Sequence, residues 1–185
     1  ARLPLVVAGG NERPSPACSS DYATTASPAG AKNVLSVGSV DSNDGLVSSF
    51  SAWGPTDDGR MKPDLVAPGC QNDGDRTVTS TLPGNTYGAI CGTSMAAPAV
   101  SGVLALLLED SRARALPDPP PAALRALAYH SAIEVGPPGP DYTSGFGMMS
   151  PRGALDLLRA DAVRQGAADD GSMAMIPILV TDPNL

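Results

Sequence analysis

The sequence holds a single histidine, one tryptophan and two phenylalanines, and its 12 lysines and arginines are outnumbered by 19 aspartates and glutamates. Each scarcity excludes something. The cations, ten Arg and two Lys, are scattered, with no basic stripe and no aromatics interleaved among them, which excludes nucleic acid as a partner. One His cannot complete a zinc site, and the spacing of Cys18, Cys70 and Cys91 fits no zinc pattern. The longest apolar run, about Met95 to Leu108, is too short for a membrane span and carries Pro98, Ser101 and Gly102 inside it. With aromatics at 4%, the core must be built from Ala, Val, Leu, Ile and Met.

What is abundant is glycine and proline, 20 and 19 in 185 residues. They point to many turns around one compact body, without the period of collagen. The net charge of −7 serves solubility and is compatible with calcium binding or a saline environment. No secretory leader opens the sequence, which runs from Ala1 straight into strand-like residues; for a fragment that says nothing about secretion.

Hydrophobic patterning places short strands first and helices later. Leu3 to Ala8 and Asn33 to Val40 are near-continuous apolar runs, as expected of strands buried on both faces. Asp64 to Ala67 is a short extended segment that Pro68-Gly69 is expected to stop. Thr77 to Leu82 and Thr86 to Cys91 flank Pro83-Gly84-Asn85 as a hairpin. Met95 to Glu109 is apolar nearly all round and reads as a core helix, with Pro98 expected in its first turn. Ala122 to Ser131 is a second helix, with Asp118 a candidate N-cap. Ser150-Pro151 opens a third, running to about Arg164. Residues 166–172 read as a linker, and Met173 to Val180 as one more strand.

For the cysteines, one disulfide plus a spare thiol is expected in a secreted protein. Cys70 and Cys91 are the favoured pair because they flank one loop-and-hairpin region; the alternative is three small buried hydrophobes.

The segment Gly92-Thr93-Ser94-Met95-Ala96-Ala97-Pro98-Ala99-Val100-Ser101-Gly102 puts a serine where a glycine-containing turn enters a buried helix. Free backbone N–H groups and the helix dipole favour developing negative charge there. A hydroxyl so placed is suited to attack a carbonyl, with its own N–H available to the resulting oxyanion. By position alone the stronger reading is a helix cap.

The segment closely resembles the nucleophile motif of the subtilases, the subtilisin-like serine peptidases. That resemblance implies Ser94 as the nucleophile, with Gly92 and Thr93 shaping the turn beside the substrate. Val6-Val7-Ala8-Gly9-Gly10-Asn11-Glu12 is similar to the strand end where subtilases keep the oxyanion-hole asparagine. It implies that Asn11 donates its side-chain amide to the tetrahedral intermediate, together with the Ser94 N–H; a lone Asn after Gly-Gly would otherwise be a turn residue. By the same likeness Gly9 and Glu12 border the substrate, although Glu12 taken alone is a solvated surface acid. Ser48 to Pro55 and Lys62 to Gly69 resemble the family's FSSWGP and KPDIVAPG segments, which are scaffold. Thr56 to Arg60, between them, resembles larger bacterial subtilases more than the compact secreted ones. The likeness extends from about Leu3 to Arg159.

A serine triad also needs a general base and a carboxylate to orient it. Subtilases carry these as Asp and then His, upstream of the oxyanion asparagine, and here only ten residues precede Asn11. Both are therefore expected in a missing N-terminal part of the same catalytic domain. His130, at a helix end downstream of the nucleophile, reads as a structural residue. Asp41-Ser42-Asn43-Asp44-Gly45 and Asp73-Gly74-Asp75 lack the ligand spacing of a calcium loop and read as turns, so no metal ligand is assigned; no cofactor is required, and calcium enters only as a structural ion admitted by the family.

The expectation is thus an α/β fold: the C-terminal portion of a subtilisin-like, mostly parallel sheet with helices on both faces, over residues 1–166. Residues 167–185 would be a linker and strand leading to a further domain. The resemblance implies a secreted serine endopeptidase acting on polypeptide through an acyl-enzyme on Ser94. This chain alone is expected to be inactive, with an exposed core through which two copies could pair. The rival is a non-catalytic subtilase-like module kept for binding or scaffolding.

Overall fold

The computed structural model describes residues 4–13, 21–70 and 78–167. Cys18, the Asp73-Gly74-Asp75 segment and the expected strand Met173 to Val180 lie outside the described residues.

Three strands, β1 (Leu5–Ala8), β2 (Val34–Asp41) and β3 (Leu65–Cys70), form a parallel sheet in the order β1-β2-β3. Leu5 pairs with Val34 and Val37 with Leu65. The central strand β2 is buried at every position, as its unbroken apolar and small-residue run requires. Contrary to expectation, β3 continues through Pro68-Gly69 to Cys70. Pro68 is exposed and pairs with Val40 next to a register shift at Val40/Asp41, a place where a missing N–H is tolerated. Gly69 permits a close approach: a Cβ there would stand 2.6 Å from the Gly92 carbonyl oxygen.

Helix α1 (Thr93–Ala113) lies across the sheet. Its Ala96, Ala97, Val100, Leu104 and Leu107 recur at three- and four-residue spacing and pack with Leu35, Val37, Leu65 and Ala67. Helices α2 (Pro121–His130) and α3 (Pro151–Ala167) add Leu124, Ala128, Ala154 and Leu158 to the same core. On the other face of the sheet, Val40 and Val66 meet Val135, Val47 and Met148.

Three helix expectations change. Met95 to Glu109 reads as a core helix, yet α1 buries one side on the sheet and leaves Ala99, Ser101, Gly102, Ala105 and Leu106 exposed. The motif enters α1 two residues earlier than its pattern suggests, so Pro98 falls in the second turn, where it has no N–H to offer the Ser94 carbonyl. Asp118 does not cap α2, which begins after Pro120 without a side-chain cap; its carboxylate pairs instead with Arg112 at 2.7 Å. Ser150 does cap α3, its Oγ accepting from the Gly153 N–H at 3.1 Å.

Strands β4 (Val78–Leu82) and β5 (Thr86–Ile90) make a separate antiparallel ribbon, closed by a turn with Gly84 and Asn85 at positive φ. It is largely exposed, with Tyr87 76% accessible. Its base is crossed by a disulfide between Cys70 and Cys91, Cα atoms 4.6 Å apart and 21 positions apart in sequence. Closing a loop of that length constrains the unfolded chain by about 3 kcal/mol.

One buried charge pair sits beneath the sheet. Lys62, 3% accessible, donates from Nζ to Asp64 Oδ2 at 2.6 Å and to the Val34 carbonyl at 3.1 Å. Asp64 Oδ2 also accepts from the Ser36 N–H at 2.6 Å, which locks β2 to the entry of β3. Tyr129 of α2 stacks on Phe146 at 4.6 Å, and burial, then the nearby Asp64 carboxylate, push its phenol well above the usual tyrosine range.

Candidate active site

β1 delivers Gly9-Gly10-Asn11 to the carboxyl edge of the sheet, and the Gly92 turn delivers Thr93 and Ser94 to the same place. Gly9 donates to Val37 O at 2.8 Å and its carbonyl accepts from Ala26 at 3.1 Å, so its backbone groups hold the strand end in the sheet. Gly10 turns the chain with φ of 120°, and a Cβ there would come within 3.0 Å of the Ala26 Cβ. Only glycine fits that combination.

Asn11 and Thr93 are joined twice. Asn11 Oδ1 accepts from the Thr93 N–H at 3.0 Å and from the Thr93 hydroxyl at 2.9 Å. The Thr93 hydroxyl in turn accepts from the Gly10 N–H at 3.2 Å. A backbone N–H can only donate, so the amide atom facing it must be the oxygen. Asn11 Nδ2 is thereby turned outward, away from Thr93. Thr93 is fully buried, whereas Asn11 and Ser94 are exposed.

The outward amide of Asn11 and the backbone nitrogen of Ser94 border one spot. A side-chain carbon built on Gly92 would stand 3.3 Å from Asn11 Nδ2 and 3.7 Å from Ser94 N. Because residue 92 is glycine, it sends no side chain of its own into that spot, which Met95 Sδ also borders at 3.6 Å; a small anionic group there would lie near both nitrogens. In the first turn of α1 the Thr93 N–H is taken by Asn11 and the Met95 N–H by Gly92 O at 2.9 Å. The Ser94 N–H has no acceptor among the described residues. No acidic side chain occupies that turn to compete for the positive end of the helix.

The remaining residues take other places. Glu12 is exposed beside Asn11. His130 ends α2 with an exposed side chain and, among the described residues, is hydrogen-bonded to no member of the Asn11–Thr93–Ser94 cluster. Asp41 Oδ1 accepts from Asn43 N and Asp44 Oδ1 from Leu46 N, so these carboxylates shape a turn. No group of three or more His, Cys, Asp or Glu side chains is placed to hold a metal among the described residues. No helix among them is long and apolar enough to cross a membrane.

Two contributors escape a reading of the sequence. Gly10 holds the Thr93 hydroxyl through its N–H, a role that a neighbour of Asn11 could have signalled. Arg13 secures the segment after Asn11: its N–H reaches Phe50 O at 3.3 Å, its Nε reaches Ser51 O at 3.1 Å, and its guanidinium lies 3.6 Å over the Trp53 ring. Tyr22 packs on the same ring. Partial burial lowers the Arg13 pKa. Nothing local in the sequence announces that stack.

A parallel α/β sheet with a serine at the mouth of a helix packed on it and an asparagine amide beside it matches a known design. The family model described as the subtilase family matches residues 2–147, and the chain belongs to that family. Among curated relatives, the serine protease AprX of Bacillus subtilis is 36% identical over 125 residues, which cover 60% of this chain and 27% of AprX. The C5a peptidase of Streptococcus pyogenes is 39% identical over 82 residues, covering 44% of this chain and 6% of that protein. Among solved structures, the prenylagaramide maturation protease PagA superposes with a TM-score of 0.66 at 29% identity, over 84% of this chain and 50% of PagA. The self-cleaved protease domain of PatA gives 0.65 at 30% identity, again over 84% and 50%. The chain thus spans about half of those solved domains and a smaller share of AprX and the C5a peptidase.

Proposed function

We propose that this chain is the nucleophile-bearing part of a serine endopeptidase. In this reading Ser94 Oγ attacks a peptide carbonyl and the oxygen of the tetrahedral intermediate is held by Asn11 Nδ2 and the Ser94 N–H. The base that takes the Ser94 proton, and the carboxylate that orients it, come from polypeptide upstream of this chain. The protonated base then returns the proton to the leaving amine, an ester remains on Ser94, and water releases the acid by the same route. Every group in this sequence belongs to protein, and no cofactor is required.

The observation that carries the reading is the fixed orientation of Asn11. Two donors from Thr93 hold its oxygen, so its NH2 is presented in advance beside the Ser94 N–H. Donors set before the charge develops need no reorganisation in the transition state. A scaffold module would have no use for that arrangement.

The surface that receives the upstream part is the outer side of α1, where Pro98, Ala99, Ser101, Gly102, Ala105 and Leu106 are exposed. Small residues there let another helix approach closely, and Leu106, 60% accessible, gives it apolar area to cover. In the isolated chain two copies would meet through the same face. The Cys70–Cys91 bridge favours an oxidising compartment, so we place the protein outside the cytosol.

The test is made on the intact gene product. A fluorophosphonate should label it on Ser94 and it should cleave a protein substrate, both abolished by Ser94→Ala. The isolated chain should do neither. An intact protein that neither labels nor cleaves refutes the proposal.

A further inference from the structure

The nucleophile turn is entered from an exposed ribbon. β5 ends at Ile90, which is 46% accessible, and three residues later Thr93 is fully buried and fixing Asn11. The ribbon has little surrounding packing with which to hold that approach. Two adjacent links do so. The Cys70–Cys91 disulfide joins the residue before Gly92 to the last residue of β3, and the Gly92 N–H donates to Gly69 O at 2.9 Å. Cys70 itself is firmly placed: it is buried, it pairs with Asp41 of β2, and its carbonyl accepts from Ser42 N at 2.9 Å. Position is thus relayed from the rigid centre of the sheet through Cys70 and Cys91 to Gly92, whose backbone borders the spot shared by Asn11 Nδ2 and Ser94 N.

We propose that the Cys70–Cys91 disulfide is a positioning element of the oxyanion site, so that its reduction slows the chemical step while leaving the fold standing. The inference rests on the peptidase reading. It assigns the bridge a role in turnover beyond its effect on stability. Cys91 is half-buried at the root of an exposed ribbon, so a small dithiol can reach its sulfur. The dithiol's thiolate attacks Cys91 Sγ, the S–S bond breaks, and Cys70 leaves as a thiolate that takes up a proton. The second thiol of the reagent then displaces Cys91 as a thiol and closes into a cyclic disulfide, so the protein gains two electrons and two protons. With the link cut, Gly92 keeps one hydrogen bond to β3 and the turn can drift.

The loss should appear in kcat, because the donors engage the oxygen most strongly in the tetrahedral state. Displacing a catalytic group by a fraction of an ångström to an ångström predicts a fall of roughly ten- to a hundredfold. KM should change by less than about threefold, since substrate is gripped elsewhere along the cleft.

The experiment uses the intact gene product carrying Cys18→Ser, so that within this chain only the pair in question can form. Steady-state kcat and KM are measured before reduction with dithiothreitol, after it, and after reoxidation. Thiols at 70 and 91 are counted by alkylation and mass spectrometry, and folding is followed by circular dichroism at the assay temperature. The expected result is a reversible fall in kcat with unchanged dichroism, reproduced by Cys70→Ser/Cys91→Ser. If the pair is reduced and kcat stays put, the inference is wrong. It is equally wrong if active enzyme as isolated holds two free thiols, or if activity falls only in step with unfolding. Should the oxidised protein show no Ser94-dependent turnover at all, the peptidase reading fails and takes this inference with it. That outcome is distinct from turnover that ignores the bridge.

Discussion

Asn11 and Thr93, 82 positions apart, share two hydrogen bonds to one oxygen: the Thr93 N–H at 3.0 Å and its hydroxyl at 2.9 Å both reach Asn11 Oδ1. The consequence is that the amide cannot flip without opposing an N–H donor with an NH2. Thr93→Val keeps the shape and the backbone bond but removes the hydroxyl. The amide, left with one of its two anchors, should lose about 1–2 kcal/mol of its hold on the transition state, a roughly five- to thirtyfold fall in kcat, while the unsatisfied Gly10 N–H weakens the fold. Asn11→Leu, which removes the donor itself, should cost more: losing an oxyanion-binding asparagine amide in a subtilisin lowers kcat by roughly a hundred- to a thousandfold. Steady-state kinetics on the intact protein check both. Equal effects of the two variants would contradict an orienting role for Thr93.

Gly92 leaves open the spot that the two donors share. Gly92→Ala would put a methyl group 3.3 Å from Asn11 Nδ2 and 3.7 Å from Ser94 N. The first of these contacts is tight, and Gly92 has φ of 159° and ψ of 160°, a backbone conformation open essentially to glycine alone, so the substitution should strain the turn by about 1–3 kcal/mol and lower the melting temperature by roughly 2–12 °C. In the protein that remains folded, the oxyanion must also compete with that methyl for space. We expect kcat to fall at least as far as in Thr93→Val, with fluorophosphonate labelling of Ser94 slowed in parallel. Unimpaired labelling would show that the spot lies off the reaction path.

The buried Lys62–Asp64 pair makes a prediction about stability alone. Lys62→Met removes the ion-pair partner of the Asp64 carboxylate and leaves it the Ser36 N–H and the Tyr129 hydroxyl. Stranding a buried charge costs about 3 kcal/mol, or roughly 10 °C in melting temperature for a chain of this size. Adding Asp64→Asn removes the stranded charge and should recover part of the loss. Thermal melts of the single and double variants decide it; a double variant less stable than Lys62→Met would refute the account.

The turn into α1 at Ser94 was legible because a glycine turn leading into an apolar run is a local pattern, and so was the strand leading to Gly9-Gly10-Asn11. The hairpin was legible from Pro83-Gly84-Asn85. What local pattern could not supply is the partnership of distant residues. The double bond between Thr93 and Asn11, the Gly10 N–H on the Thr93 hydroxyl and the Arg13–Trp53 stack all join segments far apart in the chain. Local signals also misled where tertiary contacts overrode them. Pro68-Gly69 reads as a stop, yet β3 runs through it because the proline's missing N–H falls beside a register shift. Asp118 reads as a cap, yet Arg112 claims its carboxylate. Pro98 reads as first-turn, yet Asn11 draws the start of α1 back to Thr93 by binding its N–H.

The stack of Tyr129 on Phe146 links stability to alkaline pH. Burial, then the Asp64 carboxylate, hold the phenol neutral well above the usual tyrosine value of 10.0. In the unfolded chain the same phenol ionises at its ordinary pKa. Its folded pKa is raised, so its contribution is fully present below about pH 10 and is lost as pH climbs from there towards the folded value. The slope contributed by this single proton is at most about 1.4 kcal/mol per pH unit. Tyr129→Phe keeps the ring against Phe146 and removes the titrating group. Urea unfolding from pH 8 to pH 11.5 should therefore show wild type losing stability faster than the variant above about pH 10, with the two curves parallel below it. Curves that stay parallel across the whole range would mean that Tyr129 ionises as freely in the fold as in the unfolded chain.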